Sequence, residues 1–217
     1  YLLFTGSGQT GSAVMAAAAA NLCPVTLELG GKSPALVLDD YDINVAAERI
    51  LYAKCLNAGQ ICVTADHVYL PQDKVDAFIH TAQSVVQKRY VSKDSPDYTS
   101  IIDDKSYARL INALEQARAQ GATLIPLLDG EPFDAGTRKI APHLVLNAPA
   151  DCELMTREIF GPILPIMTFT DVAHVVREIN ARPRPLAFYP FTHDADKLDY
   201  LLTHVMSGGV SVNDVLL

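Results

Sequence analysis

The chain has 217 residues, enough for one large domain or for one domain with part of another. Hydrophobic residues make up 49% and charged residues 19%, a globular balance, and the formal net charge is -8 with a pI near 5.1. No basic stripe is present, which argues against nucleic acid and anionic membrane surfaces as partners, and Cys23, Cys55, Cys62 and Cys152 form no CxxC pair and no zinc-spaced cluster with histidine, so no metal is expected. So few cysteines in a chain of this length argue against a disulfide framework and for a reduced, cytoplasmic setting. The apolar opening from Tyr1 to Ala20 is broken by Gly6, Gly8 and Gly11, lacks a basic leader and falls short of a membrane span. The chain starts at Tyr1, inside what reads as a strand, which predicts a piece of a longer protein.

In chain order, Tyr1 to Thr5 reads as a buried strand, Gly6 to Gly11 as a turn, and the Ala-rich Ser12 to Leu22 as a helix. Val25 to Leu29 is a second strand, ended by the Gly30-Gly31 pair. Ala35 to Leu38 is a short strand, and Asp42 can cap a helix over about Ile43 to Leu56 with Val45, Ile50 and Leu51 on its apolar side. Cys62 then lies in a glycine-containing loop before the strand His67 to Leu70. Amphipathic helices follow at about Asp73 to Lys88 and Lys105 to Gln120, and residues 121–159 look irregular, with short strands near Leu124 and Leu144. The chain closes with strand Ile163 to Phe169, helix Asp171 to Asn180, strand Leu186 to Phe191, helix Asp194 to His204 and strand Gly209 to Val212. This alternation predicts an α/β fold with a mainly parallel sheet and flanking helices.

Two segments carry candidate chemistry. A thiol at Cys62, after Gly59-Gln60, and a carboxylate at Glu28, before Gly30-Gly31, are the parts of a covalent cycle in which a thiolate attacks a carbonyl and a carboxylate later activates water. Free cysteine is commonly a small buried hydrophobe, but the Gly59-Gln60 loop favours access for Cys62, whereas Cys23, Cys55 and Cys152 lack such a setting and read as structural. Glu28 is flanked by Leu27 and Leu29, which predict a strand buried on one face at least; a glutamate there needs a partner or a raised pKa, the alternative being a solvated strand end. Gly6-Ser7-Gly8-Gln9-Thr10-Gly11 matches GxGxxG after a strand and before a helix, and would make Glu28 a ribose ligand; a plain glycine-rich turn is the competing reading. Gly31-Lys32-Ser33 resembles the end of a phosphate-binding loop, but Thr26 stands where its first glycine belongs, so phosphate cradling is rejected. His67, five residues past Cys62, raises a cysteine-hydrolase reading, disfavoured because His67 begins a strand.

Taken together, these segments resemble the aldehyde dehydrogenase superfamily. Phe4-Thr5-Gly6-Ser7 resembles its FTGS motif, Leu27-Glu28-Leu29-Gly30-Gly31-Lys32-Ser33-Pro34 its LELGGKSP, and Gly59-Gln60-Ile61-Cys62 its GQxC. Glu158-Ile159-Phe160-Gly161-Pro162 is similar to its ExFGP and Ser207-Gly208-Gly209-Val210-Ser211-Val212-Asn213-Asp214 to its SGGVxVND, in the same order and across essentially the whole chain. Pro185 to Tyr189 and Asp214 to Leu217 look closest to the coniferyl aldehyde and fatty or aromatic aldehyde branch.

The resemblance implies NAD or NADP as cofactor, a small-molecule aldehyde as substrate, Cys62 as nucleophile and Glu28 as general base. It implies that Gly6, Ser7, Leu29 and Gly30 face the cofactor, that Glu158 takes part of the ribose role with Phe160 near the nicotinamide, and that Asn213 shapes the substrate mouth, a strand-end turn being its alternative. Family members are about twice as long and usually dimeric or tetrameric, so residues 1–31 are expected to be a remnant of a Rossmann-like cofactor domain and residues 32–217 most of the catalytic domain. The resemblance also implies that the oxyanion asparagine lies upstream of Tyr1. Two readings follow: a parent aldehyde dehydrogenase oxidising an aldehyde through a cysteine thioester, and an inactive assembly or binding piece as the chain stands.

Overall fold

The computed structural model describes residues 1–216. Two parallel strands, β1 (Leu2–Gly6) and β2 (Val25–Leu29), pair from Leu2 opposite Val25 to Gly6 opposite Leu29 and are joined by helix α1 (Gly8–Ala19). The helix begins earlier than the composition predicts. Ser7 Oγ accepts the Thr10 amide at 3.2 Å, an N-cap that turns Gly8–Gly11 from the expected loop into the first helical turn. β1 is not the buried strand its apolar sequence predicts: Tyr1 is 80% and Leu3 65% exposed, because each strand of this two-stranded sheet has one neighbour.

The remaining elements build a second, larger sheet. In chain order they are β3 (Pro34–Val37), α2 (Ile43–Cys55), β4 (His67–Pro71), α3 (Val75–Arg89), α4 (Asp104–Ala119), β5 (Thr123–Pro126), β6 (Phe133–Asp134), β7 (Lys139–Ile140), β8 (His143–Leu146), α5 (Glu153–Thr156), β9 (Ile163–Phe169), α6 (Val172–Asn180), β10 (Ala187–Phe191), α7 (Ala195–His204) and β11 (Gly209–Val210). The sheet runs β11-β10-β3-β4-β9-β8-β5, parallel throughout except for β5, which lies antiparallel to β8; β6 and β7 form a separate hairpin. The predicted α/β class and mainly parallel sheet are therefore those observed.

Burial on both faces explains the continuous apolar strands. In β3 and just beyond it, Ala35 and Val37 point into one core with Ile50, Leu51 and Phe78, while Leu36 and Leu38 point into the other with Val175, Ile179 and Leu201. Asp42 caps α2 as expected, its carboxylate accepting the Asn44 amide at 2.8 Å. The buried stripe of α2 is Ile43, Ala46, Ala47, Ile50, Leu51 and Lys54, at helical spacing, so Val45 falls outside it and is exposed, against expectation. β11 is shorter than predicted, yet residues 211–213 still follow β10, with the Ser211 amide on the Phe188 carbonyl at 3.2 Å and the Asn213 amide on the Pro190 carbonyl at 2.9 Å.

Candidate active site

The loop carrying Cys62 is shaped before Cys62 is reached. After α2 the chain makes a 3-10 turn over Leu56–Gly59 in which Asn57 and Ala58 both have φ of 51° and Gly59 has φ of 71°. Two consecutive non-glycine residues in the left-handed region store strain, which the surroundings must hold. Gln60 supplies much of that hold. Its side-chain amide donates to the Asn57 carbonyl at 3.0 Å and to the Ser100 carbonyl at 3.1 Å, and its oxygen accepts the Ile102 amide at 2.9 Å. Gly59 has no alternative: a Cβ there would stand 2.2 Å from the Gly161 carbonyl oxygen, so this loop and the loop following Glu158 touch backbone to backbone. Cys62 follows in a four-residue turn closed by the Thr64 amide on the Ile61 carbonyl at 3.0 Å, and it is half-buried. It is the accessible loop thiol the motif predicts, whereas Cys55 and Cys152 are buried and burial pushes the Cys55 thiol up to about 12. Cys23 is half-buried beyond α1.

One buried ion pair connects the three predicted segments. Lys32, four residues after Glu28, donates to Asp66, four residues after Cys62, and also to the carbonyls of Leu154 at 2.7 Å and Arg157 at 3.1 Å. The other oxygen of Asp66 accepts the Ile159 amide at 2.8 Å, next to Glu158. Burial alone would raise the Asp66 carboxyl, but Lys32, His67 and Lys54 outweigh it and hold it well below the usual carboxylate range. The Arg109 guanidinium grips the Ile159 carbonyl from α4. Neither Asp66 nor Arg109 stands out in the sequence. Lys32 does, as part of the Gly31-Lys32-Ser33 segment, and its ammonium is taken up by Asp66 and two carbonyls; Ser33 is fully buried and accepts the Ala187 amide at 3.1 Å.

Glu158 lies against the Gly30-Gly31 pair. Its carboxylate accepts the Gly31 amide at 3.1 Å, and a Cβ on Gly30 would come within 2.1 Å of its Oε1, so Gly30 is what admits the acid. Burial pushes this carboxyl up from its ordinary value while the Gly31 amide opposes the shift. Phe160, with φ of 50°, turns its ring outward and is 38% exposed, an apolar surface held out by a strained backbone. The structure thus brings Gly30, Leu29, Glu158 and Phe160 to one region beside the end of β2.

The remaining predicted positions sit in varied surroundings. Leu27 and Leu29 are half-buried, as their face of the strand predicts, while Glu28 between them is exposed, the solvated alternative, because β2 belongs to the open two-stranded sheet. Asn213 commits its side chain to structure: its oxygen accepts the Thr192 amide at 2.8 Å and its nitrogen donates to the Thr192 carbonyl at 3.0 Å, with φ of 60°. In the GxGxxG match, Gly8 has open space around it, whereas a Cβ on Gly11 would meet the Leu29 side chain at 2.7 Å, so helix packing and not a ligand demands that glycine. His67 is fully buried at the start of β4, 3.6 Å from Asp66, too far for a hydrogen bond, and burial lowers its pKa. Leu217, the last residue of the coniferyl-like end, lies outside the described residues.

Lys54 does not stand out in the sequence; its only signal is its helical spacing from Ile50 and Leu51 on the buried stripe of α2. Its ammonium is fully buried without a hydrogen-bond partner, and burial lowers its pKa to about 8 against the attraction of Asp66. A surface hollow of about 400 Å³ lined by Gln72, Thr168, His174 and Arg177 contains none of the predicted site residues. Among the described residues no helix is long and apolar enough to cross a membrane, and no group of three His, Cys, Asp or Glu could hold a metal ion.

Comparison with known proteins agrees with the motifs. The model of the aldehyde dehydrogenase family matches residues 1–216. A probable coniferyl aldehyde dehydrogenase of Pseudomonas aeruginosa is 45% identical over all of this chain and 45% of its own length. The coniferyl aldehyde dehydrogenase of a Pseudomonas species is 43% identical over all of this chain and 46% of its own. Among solved structures, a substrate-bound state of Staphylococcus aureus AldH superposes with a TM-score of 0.91 at 36% identity, over 99% of this chain and 46% of that one. The chain spans about half the length of the curated relatives it matches. Sequence motifs, fold and comparisons converge on one statement: this chain belongs to the aldehyde dehydrogenase family.

Proposed function

We propose that this chain is the thiol-bearing half of an NAD(P)-dependent aldehyde dehydrogenase, acting on an aromatic aldehyde of the coniferyl type. In this reading residues 1–31 belong to the cofactor domain and residues 32–217 to the catalytic domain. The observation that carries it is the Lys32–Asp66 pair, which fastens the strand of Glu28, the turn of Cys62 and the segment of Glu158 to one another. Family membership and the coniferyl aldehyde dehydrogenases among the relatives support the substrate class.

The residues present fit the cofactor. The exposed first turn of α1, with Ser7 at its cap, suits a diphosphate, since helix N-terminal amides attract anions. Gly6 and Leu29 end the two strands beside it, and Gly30 leaves the space that brings the Glu158 carboxylate in for a ribose, with the Phe160 ring held out toward a nicotinamide. When bound, the nicotinamide supplies the hydride acceptor. The protein residues do the rest. The Cys62 thiolate adds to the aldehyde carbon, and the Cys62 amide is the donor this chain offers to the resulting oxyanion. Once the carbon has lost its hydride, Cys62 carries an acyl thioester. Glu28, exposed and able to meet water, takes a proton from it; hydroxide adds to the acyl carbon, the C–S bond breaks, and the carboxylic acid leaves with the thiolate restored.

The test uses the full-length protein. Cys62→Ser is expected to abolish NAD(P)H production from coniferyl aldehyde, and an unchanged rate would remove the nucleophile assignment.

A further inference from the structure

Cys62 and Val63 occupy the two central positions of the turn that the Thr64 amide closes on the Ile61 carbonyl. The peptide joining Val63 to Thr64 therefore closes the turn that carries the thiol. Its N–H end is fixed by that turn bond. Its C=O end is fixed from outside the loop, by the hydroxyl of Tyr189, which donates to the Val63 carbonyl oxygen. Tyr189 sits in the middle of β10, pairs with Ala35 of β3, and is 1% exposed, so its ring is anchored in the most rigid part of the sheet. Val63 and Leu216 pack against the same core as the Tyr189 ring, and the Leu216 amide lies beside the hydroxyl. Leu216 itself has φ of 80°, a conformation that a leucine rarely adopts.

We propose that Tyr189 is a positioning residue for the Cys62 thiol: its hydroxyl clamps the turn that carries the nucleophile to the central sheet and couples it to the segment at residues 213–216. The inference rests on the reading of Cys62 as nucleophile for its functional meaning, but the clamp itself is a property of the turn. Burial pushes the Tyr189 phenol up to about 12, with the nearby Cys62 acting in the same direction, so the hydroxyl stays protonated and remains a donor across the working range of a thiolate. Among the described residues no other side chain donates to the Val63 carbonyl, so removing one oxygen atom frees one end of the peptide while leaving the ring to fill the core.

The experiment is Tyr189→Phe in the full-length protein. The rate of Cys62 alkylation by iodoacetamide is followed from pH 6 to 10 by peptide mass spectrometry, which separates Cys62 from Cys23. Turnover of coniferyl aldehyde is measured in parallel. A loosened turn exposes the sulfur but misaims it. Alkylation is expected to speed up by about 3- to 10-fold, the factor one net hydrogen bond is worth, while kcat falls by a similar factor and KM for NAD(P) holds. A role limited to stability would move neither the alkylation profile nor kcat once the folded fraction is matched. Alkylation rates within twofold of the unmodified protein across the pH range would overturn the proposal. Should the variant fail to fold, hydrogen exchange in the unmodified protein decides: a Thr64 amide as protected as those of β10 supports the clamp, and exchange at the rate of an open loop refutes it. The two readings fail separately, because Cys62→Ser with intact turnover removes the nucleophile but leaves the alkylation result standing.

Discussion

Lys54→Met tests the electrostatics beneath the Cys62 loop. Lys54 lies on the buried stripe of α2, and its ammonium has no hydrogen-bond partner. Burial takes its pKa from 10.5 to about 8. At roughly 1.4 kcal/mol per tenfold change, that corresponds to about 3 kcal/mol by which folding disfavours the charged form. Below about pH 8 the amine is protonated in both states and the penalty is present in full. Between about 8 and 10.5 the unfolded chain binds more proton than the folded one, so stability rises with pH over that window. Methionine of similar length removes the charge and keeps the packing. The chain has no tryptophan, so urea denaturation is best followed by far-ultraviolet circular dichroism, at pH 7 and at steps up to 10. Lys54→Met is expected to be more stable than the unmodified chain by about 1–3 kcal/mol at pH 7, with the gap closing toward pH 10 as other groups cancel between the two proteins. A gap that stays constant across that range would refute the reasoning, since it would mean that Lys54 titrates alike in the folded and unfolded chain.

Four further outcomes are expected. In the full-length enzyme Glu28→Gln should spare a first-turnover burst of NAD(P)H and slow the steady state, read by stopped-flow absorbance; a change confined to cofactor affinity would instead restore the dinucleotide-fingerprint reading. Asp66→Asn leaves the Lys32 ammonium buried without its counter-charge and should cost about 3–5 kcal/mol at pH 7 by chemical denaturation. Because folding depresses the Asp66 carboxyl, its contribution is present above about pH 4 and is lost as pH falls toward its folded value, so the difference from Asp66→Asn should shrink on acidification below pH 4. Gly59→Ala meets both a φ of 71° and the Gly161 carbonyl at 2.2 Å, and should lose at least about 2 kcal/mol and slow Cys62 alkylation or turnover by displacing the loop.

The α/β class, the parallel sheet and most element positions were legible because strand burial on both faces and helical spacing leave direct marks: β9 runs over the predicted Ile163 to Phe169, and β4 and α6 come within a residue or two of expectation. The accessible loop setting of Cys62 was legible for a similar local reason, as glycine and glutamine before it dictate a turn. The early start of α1 was misread because the cap bond from Ser7 to Thr10 outweighed the glycines at Gly8 and Gly11. The predicted burial of β1 failed, and Glu28 took the solvated setting that was its alternative, because exposure depends on what else covers a sheet, which no local pattern encodes.

What the amino-acid sequence determined by itself was therefore the order of elements, the thiol in its loop and the carboxylates near glycines. Only the tertiary structure decided how those pieces are joined. Lys32 meets Asp66, Asp66 meets Ile159, Gly59 touches Gly161 and Tyr189 reaches Val63, each across a long stretch of chain. The physical reason is that hydrogen bonds and backbone contacts act over a few ångströms of space, whereas sequence patterns report only neighbours along the chain, so the partners of a buried charge or a strained turn become visible only when the sheet has brought distant segments together.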